Sequence, residues 1–297
     1  MGTSAALDGL VAFLRDRDDA EPGVGAAMRS QVLAGEPGAG VFMLLHGLTA
    51  SPPAWRAVAQ ALHARGKTVV VLRLLLHGYA DRMTPALRAV TAQALIDDVA
   101  TVVRRVAELG EVLTLVGHSL GGALALGAAA REAYVVRAVA IAPFLGIVNV
   151  PHEVHPLIAG ALRVARNRFL WWDPVLRERM EPAHGYPRYP LAALLAGITI
   201  ADRVRDDAHR APRARAIDLV LNRAESSVNN RTALRLADDW RAAGASIAVH
   251  WLRDLGWSHD IIEPDRPPAQ RALATLLTIV EGEHAPAERE HRIPGGA

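Results

Sequence analysis

Apolar and polar residues occur along the chain in blocks that predict strands and helices in turn. Short apolar, β-branched runs predict six buried strands, at 41–45, 68–73, 112–116, 137–142, 216–221 and 246–252. Longer stretches with helical spacing predict helices at 53–65, 91–109, 120–131, 230–243 and 268–281. A weaker pattern predicts an earlier pair of strands near 27–33. The alternation predicts an α/β fold, with a mainly parallel sheet and helices on both faces.

One long segment interrupts this alternation. Residues 143–215 lie between two predicted strands and are punctuated by proline and aromatic residues, including the adjacent Trp171 and Trp172. We interpret this segment as an insertion into a core formed by residues 27–142 and 216–282. Residues 1–26 form an N-terminal segment. The last residues, 283–297, are rich in charge, proline and glycine and are predicted to be disordered.

Composition excludes several classes of function. The 297 residues contain no cysteine, which excludes disulfides and thiolate chemistry. A net charge of +2 is too small to indicate a nucleic-acid partner. The N-terminus carries several aspartates where a secretory signal needs basic and apolar residues. No apolar run reaches the roughly 20 residues that cross a membrane. We therefore expect a cytoplasmic protein without stable membrane insertion.

The strongest candidate for chemistry is the sequence Gly117-His118-Ser119-Leu120-Gly121. It has the pattern G-x-S-x-G, and it lies between a predicted buried strand and a helix of small residues. This is the setting of a nucleophile elbow, in which a serine is held at a sharp strand-to-helix turn. The two glycines keep bulk away from a serine in a strained backbone conformation.

A second motif strengthens this interpretation. The predicted strand 41–45 runs into His46-Gly47-Leu48, and with the elbow this resembles the α/β-hydrolase family. The resemblance covers residues 40–282 and is closest to bacterial carboxylesterases and monoacylglycerol-lipase-like enzymes. It implies that the backbone N–H groups of Leu48 and Leu120 form the oxyanion hole, with His46 bracing the loop. The family's G-H-G turn is incomplete at His77-Gly78, so we interpret His77 as a structural loop residue.

The resemblance also implies which histidine serves as the base. In this fold the histidine follows the last strand, which selects His259. His250 lies inside that strand, where packing is the expected role. His118 is expected to point to the wrong face. His284 and His291 lie in the polar tail.

The acid of the triad departs from the usual aspartate. The turn after the penultimate strand contains no aspartate, and Glu225 stands where relatives carry the acid. Glutamate can orient and stabilise an imidazole as aspartate does. Asp218 is the rival, but it lies within the strand. A solvated turn residue is the alternative interpretation of Glu225.

Together these residues predict a serine hydrolase that cleaves small-molecule carboxylic esters through an acyl-enzyme on Ser119, without a metal or organic cofactor. The insertion corresponds to the family's cap, where we expect one of Trp171 and Trp172 to be an anchor and the other to face the substrate. Thioesterase, peptidase, carbon–carbon hydrolase and acyltransferase activities remain alternatives, since the same triad serves them all. A non-catalytic ligand-binding relative with a decayed triad also remains open.

Overall fold

The computed structural model of the chain describes residues 2–179, 182–256 and 258–282. The tail predicted to be disordered, 283–297, lies outside the described residues. In the order of the chain, the helices and strands are α1 Gly2–Asp19, β1 Gln31–Leu33, β2 Val41–Leu45, α2 Arg56–His63, β3 Thr68–Leu72, α3 Ala92–Ala107, β4 Leu113–His118, α4 Leu120–Arg131, β5 Val135–Ile141, α5 His155–Val164, β6 Phe169–Trp171, β7 Arg188–Pro190, α6 Leu191–Asp206, β8 Ala216–Asn222, α7 Asn230–Ala242, β9 Ile247–Leu252 and α8 Pro267–Glu281.

Seven strands form one twisted sheet in the order β1-β3-β2-β4-β5-β8-β9. Six of them are parallel, and β1 adds an antiparallel edge beside β3. The predicted α/β fold with a mainly parallel sheet is confirmed. The predicted pair of strands near 27–33 is wrong, because Ala26–Met28 forms a short 3-10 turn and only Gln31–Leu33 pairs with the sheet.

The sheet separates two apolar clusters, one against each face. Along β2, Met43 and Leu45 pack on the face covered by α1, α3, α4 and α6, whereas Phe42 and Leu44 pack on the face covered by α2 and α8. A strand that is buried on both faces needs apolar residues at every position. All five residues of β2 are accordingly apolar and buried.

The N-terminal segment contains a helix that the sequence analysis did not predict. Leu10 and Leu14 of α1, one helical turn apart, are buried in the first of these clusters. Asp18, near the end of α1, is also buried and pairs with the fully buried Arg73. The segment is therefore packed onto the core.

Among its described residues, the insertion between β5 and β8 contains the α-helices α5 and α6 and a small hairpin. Strands β6 and β7 pair antiparallel, apart from the main sheet. Helix α6 packs against α3 and α4, so it completes the helical layer on that face. Its first two turns also reach the end of β4, where the candidate site lies. The boundaries 143–215 remain a prediction for the extent of a cap.

Candidate active site

Ser119 lies at the junction of β4 and α4 with a strained backbone, φ 54° and ψ −118°. Both glycines of the motif are required by close backbone contacts. A Cβ on Gly117 would lie 2.1 Å from the carbonyl oxygen of Gly121, and a Cβ on Gly121 would lie 2.1 Å from that of Leu45. The local sequence thus holds Ser119 at a sharp turn that larger residues would not allow.

The structure brings Ser119, His259 and Glu225 together from three separate loops. Ser119 Oγ lies 2.8 Å from Nε2 of His259, and His259 Nδ1 lies 2.9 Å from Oε1 of Glu225. His259 comes from the loop after β9, and Glu225 comes from the turn after β8. Since a carboxylate only accepts, Nδ1 carries the proton and Nε2 is free to accept the serine proton.

Glu225 is buried and held by the backbone of its own turn. Its Oε1 atom accepts hydrogen bonds from the backbone N–H groups of Ser226 and Ser227 at 2.9 and 2.8 Å, in addition to His259. A carboxylate held in this way cannot turn away from the imidazole. The interpretation of Glu225 as a solvated turn residue is therefore wrong.

The rival acid and one rival base pair with each other, outside the site. Asp218 accepts from His250 Nε2 at 2.7 Å and from Arg137 Nε at 2.8 Å. Burial raises the pKa of Asp218, but these hydrogen bonds outweigh it and leave the pKa lowered. Arg137 also donates to the carbonyl oxygens of Ile279 and Val280 at the end of α8. This cluster connects the sheet to α8, as expected for packing roles.

His118 lies closer to the site than the sequence analysis expected. Its ring centroid is 4.8 Å from that of His259, and its Nε2 atom donates to the His259 carbonyl oxygen at 2.9 Å. The expectation that His118 points to the wrong face is therefore wrong. Burial, and then the neighbouring His259, lower the pKa of His118 to about 3, so it is neutral at pH 7. It braces the loop that carries His259.

His46 braces the loop after β2. Its Nδ1 donates to the Gly47 carbonyl oxygen at 2.9 Å, and its Nε2 accepts from the Leu74 backbone N–H at 3.1 Å. Burial is the main cause that lowers the pKa of His46 well below its usual value. A neutral His46 can therefore hold the loops after β2 and β3 together.

The two expected oxyanion donors line the same cavity as Ser119. Leu120 is the first residue of α4, so its N–H has no partner within the helix. Leu48 follows Gly47, which lies so close to the nucleophile that a Cβ there would be 3.2 Å from Ser119 Cβ. The missing side chain at Gly47 allows the Leu48 loop to approach the serine.

A cavity of about 490 Å³ opens above Ser119 and His259. Its apolar wall includes Leu120, Phe144, Ile147, Leu194 and Val228. Gly197 of α6 leaves room on this wall, because a Cβ there would lie 3.0 Å from the Phe144 ring.

Of the two adjacent tryptophans, Trp172 lines the cavity and Trp171 does not. Trp172 is 41% exposed, and its Nε1–H donates to Thr49 Oγ1 at 2.8 Å. Thr49 belongs to the loop that also carries Leu48. Trp171 instead lies in β6, with the Arg188 guanidinium 5.8 Å from its ring centroid.

Sequence reasoning did not single out three charged residues of the cavity wall. Arg82, Asp260 and Glu263 line the cavity, and His184 of the insertion donates to Glu263 at 3.0 Å. Glu263 follows His259 by only four residues, and this short spacing could have predicted that Glu263 lies near the site. His184 has no such signal, because only the folded chain brings the insertion to this loop.

In the described part of the chain, no group of three or more His, Cys, Asp or Glu residues could hold a metal ion. None of the helices in that part combines the length and the apolar character needed to cross a bilayer.

Comparison with known proteins supports the same architecture. Three solved structures each have a TM-score of 0.65. One comes from the metagenome-derived lipolytic enzymes LipS and LipT, with 21% identity over 89% of this chain and 99% of that one. The second is the Paleococcus ferrophilus monoacylglycerol lipase, with 18% identity over 86% and 98%. The third is a soluble variant of the Saccharomyces cerevisiae monoglyceride lipase, with 11% identity over 85% and 89%.

At these identities the similar structures show the fold alone. No curated protein matches the sequence. The family model described as "Alpha/beta hydrolase family" matches residues 42–293, which is most of the chain. With this match and the observed sheet order, the chain belongs to the alpha/beta hydrolase family.

Proposed function

We propose that the protein hydrolyses carboxylic esters through an acyl-enzyme on Ser119. The observation that carries the proposal is the continuous hydrogen-bonded chain from Glu225 through His259 to Ser119, at 2.9 and 2.8 Å. This is the arrangement in which a base activates a serine and a carboxylate orients the base.

The proposed reaction uses these contacts. Ser119 Oγ bonds to the acyl carbon while its proton passes to His259 Nε2, and the N–H groups of Leu48 and Leu120 stabilise the oxyanion. When the carbon–oxygen bond to the leaving alcohol breaks, Nε2 returns the proton to that alcohol. Water then attacks the acyl-enzyme with His259 as base, which releases the carboxylic acid and restores Ser119. Glu225 stabilises the imidazolium at each stage.

Support for an ester with an apolar acyl group comes from the cavity. The wall formed by Leu120, Phe144 and Leu194 offers apolar contacts to an acyl chain. The lipolytic enzymes among the similar structures agree with this substrate class. In this proposal the insertion acts as a cap, with Trp172 over the acyl group.

The proposal is tested with a fluorophosphonate probe and a series of p-nitrophenyl esters of increasing chain length. The wild-type protein should be labelled on Ser119 and should hydrolyse these esters. Ser119→Ala should lose labelling and turnover while the fold is retained, because the change removes one hydroxyl group. Ser246→Ala, at an exposed serine, is the matched control and should behave as wild type.

Two outcomes would contradict the proposal. Folded Ser119→Ala that still turns over esters would exclude Ser119 as the nucleophile. Folded wild-type protein that is neither labelled nor active would favour the non-catalytic ligand-binding relative.

A further inference from the structure

Asp260 is a carboxylate in the cavity wall, directly beside the proposed base. It follows His259 in the chain, lines the cavity and is half-buried. Its side chain makes no hydrogen bond or ion pair with any other described residue. A carboxylate that is partly removed from water is stabilised by a donor or by a positive charge. The negative charge of Asp260 is therefore available to a bound molecule.

The main chain at Asp260 is fixed on both sides. The His259 carbonyl oxygen belongs to the peptide group that joins His259 to Asp260. It accepts from His118 Nε2 and from the Ile261 N–H, each at 2.9 Å. The two residues after Asp260, Ile261 and Ile262, are buried in the apolar cluster that faces α2 and α8. The fold thus holds Asp260 at the cavity and leaves its carboxylate unpaired among the described residues.

The other charged side chains of the described cavity wall have partners. Arg82 donates to two backbone carbonyl oxygens of the insertion, at 2.7 and 3.1 Å. Glu263 accepts from His184 at 3.0 Å. His118 is neutral at pH 7, because its pKa is lowered to about 3. Since Arg82 and Glu263 have opposite charges, Asp260 adds a negative charge that neither of them offsets.

We propose that Asp260 is a specificity-determining residue, which selects ester substrates that carry a positively charged ammonium group. This inference rests on the proposed ester hydrolysis. Asp260 adjoins His259, and His259 Nε2 lies 2.8 Å from Ser119 Oγ, so an ester bound at Ser119 lies within range of the charge. Opposite charges attract more strongly in a cavity than in bulk water, because the effective dielectric constant is lower there.

The ammonium group can belong to either half of the ester, since both halves meet at the carbon that Ser119 attacks. Two pairs of isosteric substrates distinguish the halves. Butyrylcholine and 3,3-dimethylbutyl butyrate differ by a charge on the alcohol. Ethyl 4-(trimethylammonio)butyrate and ethyl 5,5-dimethylhexanoate differ by a charge on the acyl group. In the wild type, kcat/KM should favour the charged member of at least one pair, and that pair identifies the half that carries the cation.

Substitutions at the cavity wall measure the contribution of Asp260 to this ratio. Asp260→Asn should lower the ratio about fivefold, because it removes the charge and keeps the shape. Asp260→Glu should retain most of the preference. Glu263→Gln should lower the ratio less, because Glu263 already pairs with His184. Asp265→Asn is the matched control in the same loop and should leave the ratio unchanged, since the Asp265 side chain is 73% exposed and pairs with Arg56.

The wild-type protein provides a second measurement that does not depend on any variant. Salt screens the attraction between charges, so raising the ionic strength from about 0.01 M to about 1 M should reduce the preference for the charged ester. The rates for the neutral isosteres serve as the reference at each salt concentration. If Asp260→Asn does not fold, a wild-type ratio that is independent of salt overturns the proposal.

Each other outcome overturns a defined statement. Unchanged ratios for both pairs in folded Asp260→Asn exclude Asp260 as the determinant and leave ester hydrolysis intact. The same holds for wild-type protein that favours the neutral member of both pairs. A larger effect of Glu263→Gln than of Asp260→Asn would assign the cation to Glu263 instead. Wild-type protein that hydrolyses neither p-nitrophenyl butyrate nor any of these esters overturns both proposals.

Discussion

Glu225 accepts, at a single carboxylate oxygen, hydrogen bonds from His259 and from the backbone N–H groups of its own turn. These backbone donors do not depend on the side chains of Ser226 and Ser227. They fix the carboxylate before any substrate binds, which is the condition for orienting an imidazole. The longer side chain of glutamate therefore does not make the acid mobile.

We predict that Glu225→Gln lowers kcat by about 10²- to 10⁴-fold with little change in substrate binding. A neutral amide can support the wrong imidazole tautomer and cannot stabilise the imidazolium. Glu225→Asp should retain more activity than Glu225→Gln, since it keeps the charge but loses the reach of one methylene. Steady-state kinetics with p-nitrophenyl butyrate measures these effects.

Asp218→Asn is the matched control for Glu225→Gln, because Asp218 is another buried acid that pairs with a histidine. It should cost stability, through the contacts with Arg137 and His250, and leave kcat near the wild-type value. The reverse result, with inactive Asp218→Asn and normal Glu225→Gln, would mean that the acid is misassigned.

The buried histidines predict how stability depends on pH. The pKa of His118 is lowered to about 3 and that of His77 to about 4, mainly by burial. Below about pH 6.5 the unfolded chain binds protons at these residues, whereas the folded protein does not until about pH 3 to 4. The free energy of unfolding should therefore fall as the pH is lowered from about 6.5 towards these values.

Urea denaturation between pH 4 and pH 7 measures this dependence. His118→Gln should make it shallower, because one of the groups that titrate only in the unfolded state is removed. His63→Gln, at an exposed histidine of α2, is the control and should leave the slope unchanged. If wild type, His118→Gln and His63→Gln showed the same dependence of unfolding free energy on pH, His118 would not contribute to that dependence.

At the scale of elements, two hydrogen bonds connect the insertion to Thr49, in the loop after β2. Trp172 Nε1 donates to Thr49 Oγ1 at 2.8 Å, and the Tyr186 backbone N–H donates to the Thr49 carbonyl oxygen at 2.8 Å. Thr49 has a positive φ of 65°, which is uncommon for a β-branched residue. The insertion therefore helps to hold the loop that carries Leu48, the proposed oxyanion donor.

We predict that Trp172→Ala changes the preference among acyl chain lengths more than it changes turnover of the acetate ester. The substitution removes part of the cavity wall and the donor to Thr49. Trp171→Ala is the matched control, since Trp171 does not line the cavity, and should leave the preference unchanged. Rates for p-nitrophenyl acetate, butyrate and octanoate distinguish the two variants. Equal profiles in folded Trp172→Ala and wild type would place the acyl group elsewhere.

At the scale of the whole molecule, α1 is coupled to the site through a buried charge network. Arg73 is fully buried and donates to Asp18 at 2.8 Å and to Glu21 at 3.0 Å. The next residue, Leu74, donates its backbone N–H to His46. The N-terminal segment thus supports the loop after β3, which in turn supports the loop after β2.

We predict that Asp18→Asn lowers the free energy of unfolding by about 3 kcal/mol, because it removes one partner from a buried ion pair. Asp16→Asn is the matched control on the same helix, where the carboxylate is exposed, and should change stability by less than about 0.5 kcal/mol. Urea denaturation followed by circular dichroism measures both. Equal stability of the two variants would mean that Arg73 does not depend on Asp18.

The sequence itself contains the order of the apolar runs and motifs and the periodicity of the apolar residues. These were enough to predict the sheet, the elbow at Ser119 and the approximate bounds of the core helices. These features depend on neighbours within a few residues: an apolar run that forms β4, two glycines around a serine, small residues that form α4. The predictions failed where local patterns are weak. The single short β1 and the helix α1 are examples, since both depend on packing against distant residues.

Only the tertiary structure decided which distant side chains meet. His118 and His250 have similar local settings, each near the end of a strand, yet one contacts His259 and the other contacts Asp218. The pair of His184 and Glu263 joins residues 79 positions apart, in the insertion and in the His259 loop. Such contacts depend on how the loops beyond the strand ends fold over the site, and the hydrophobic pattern specifies the strands but not the paths of those loops.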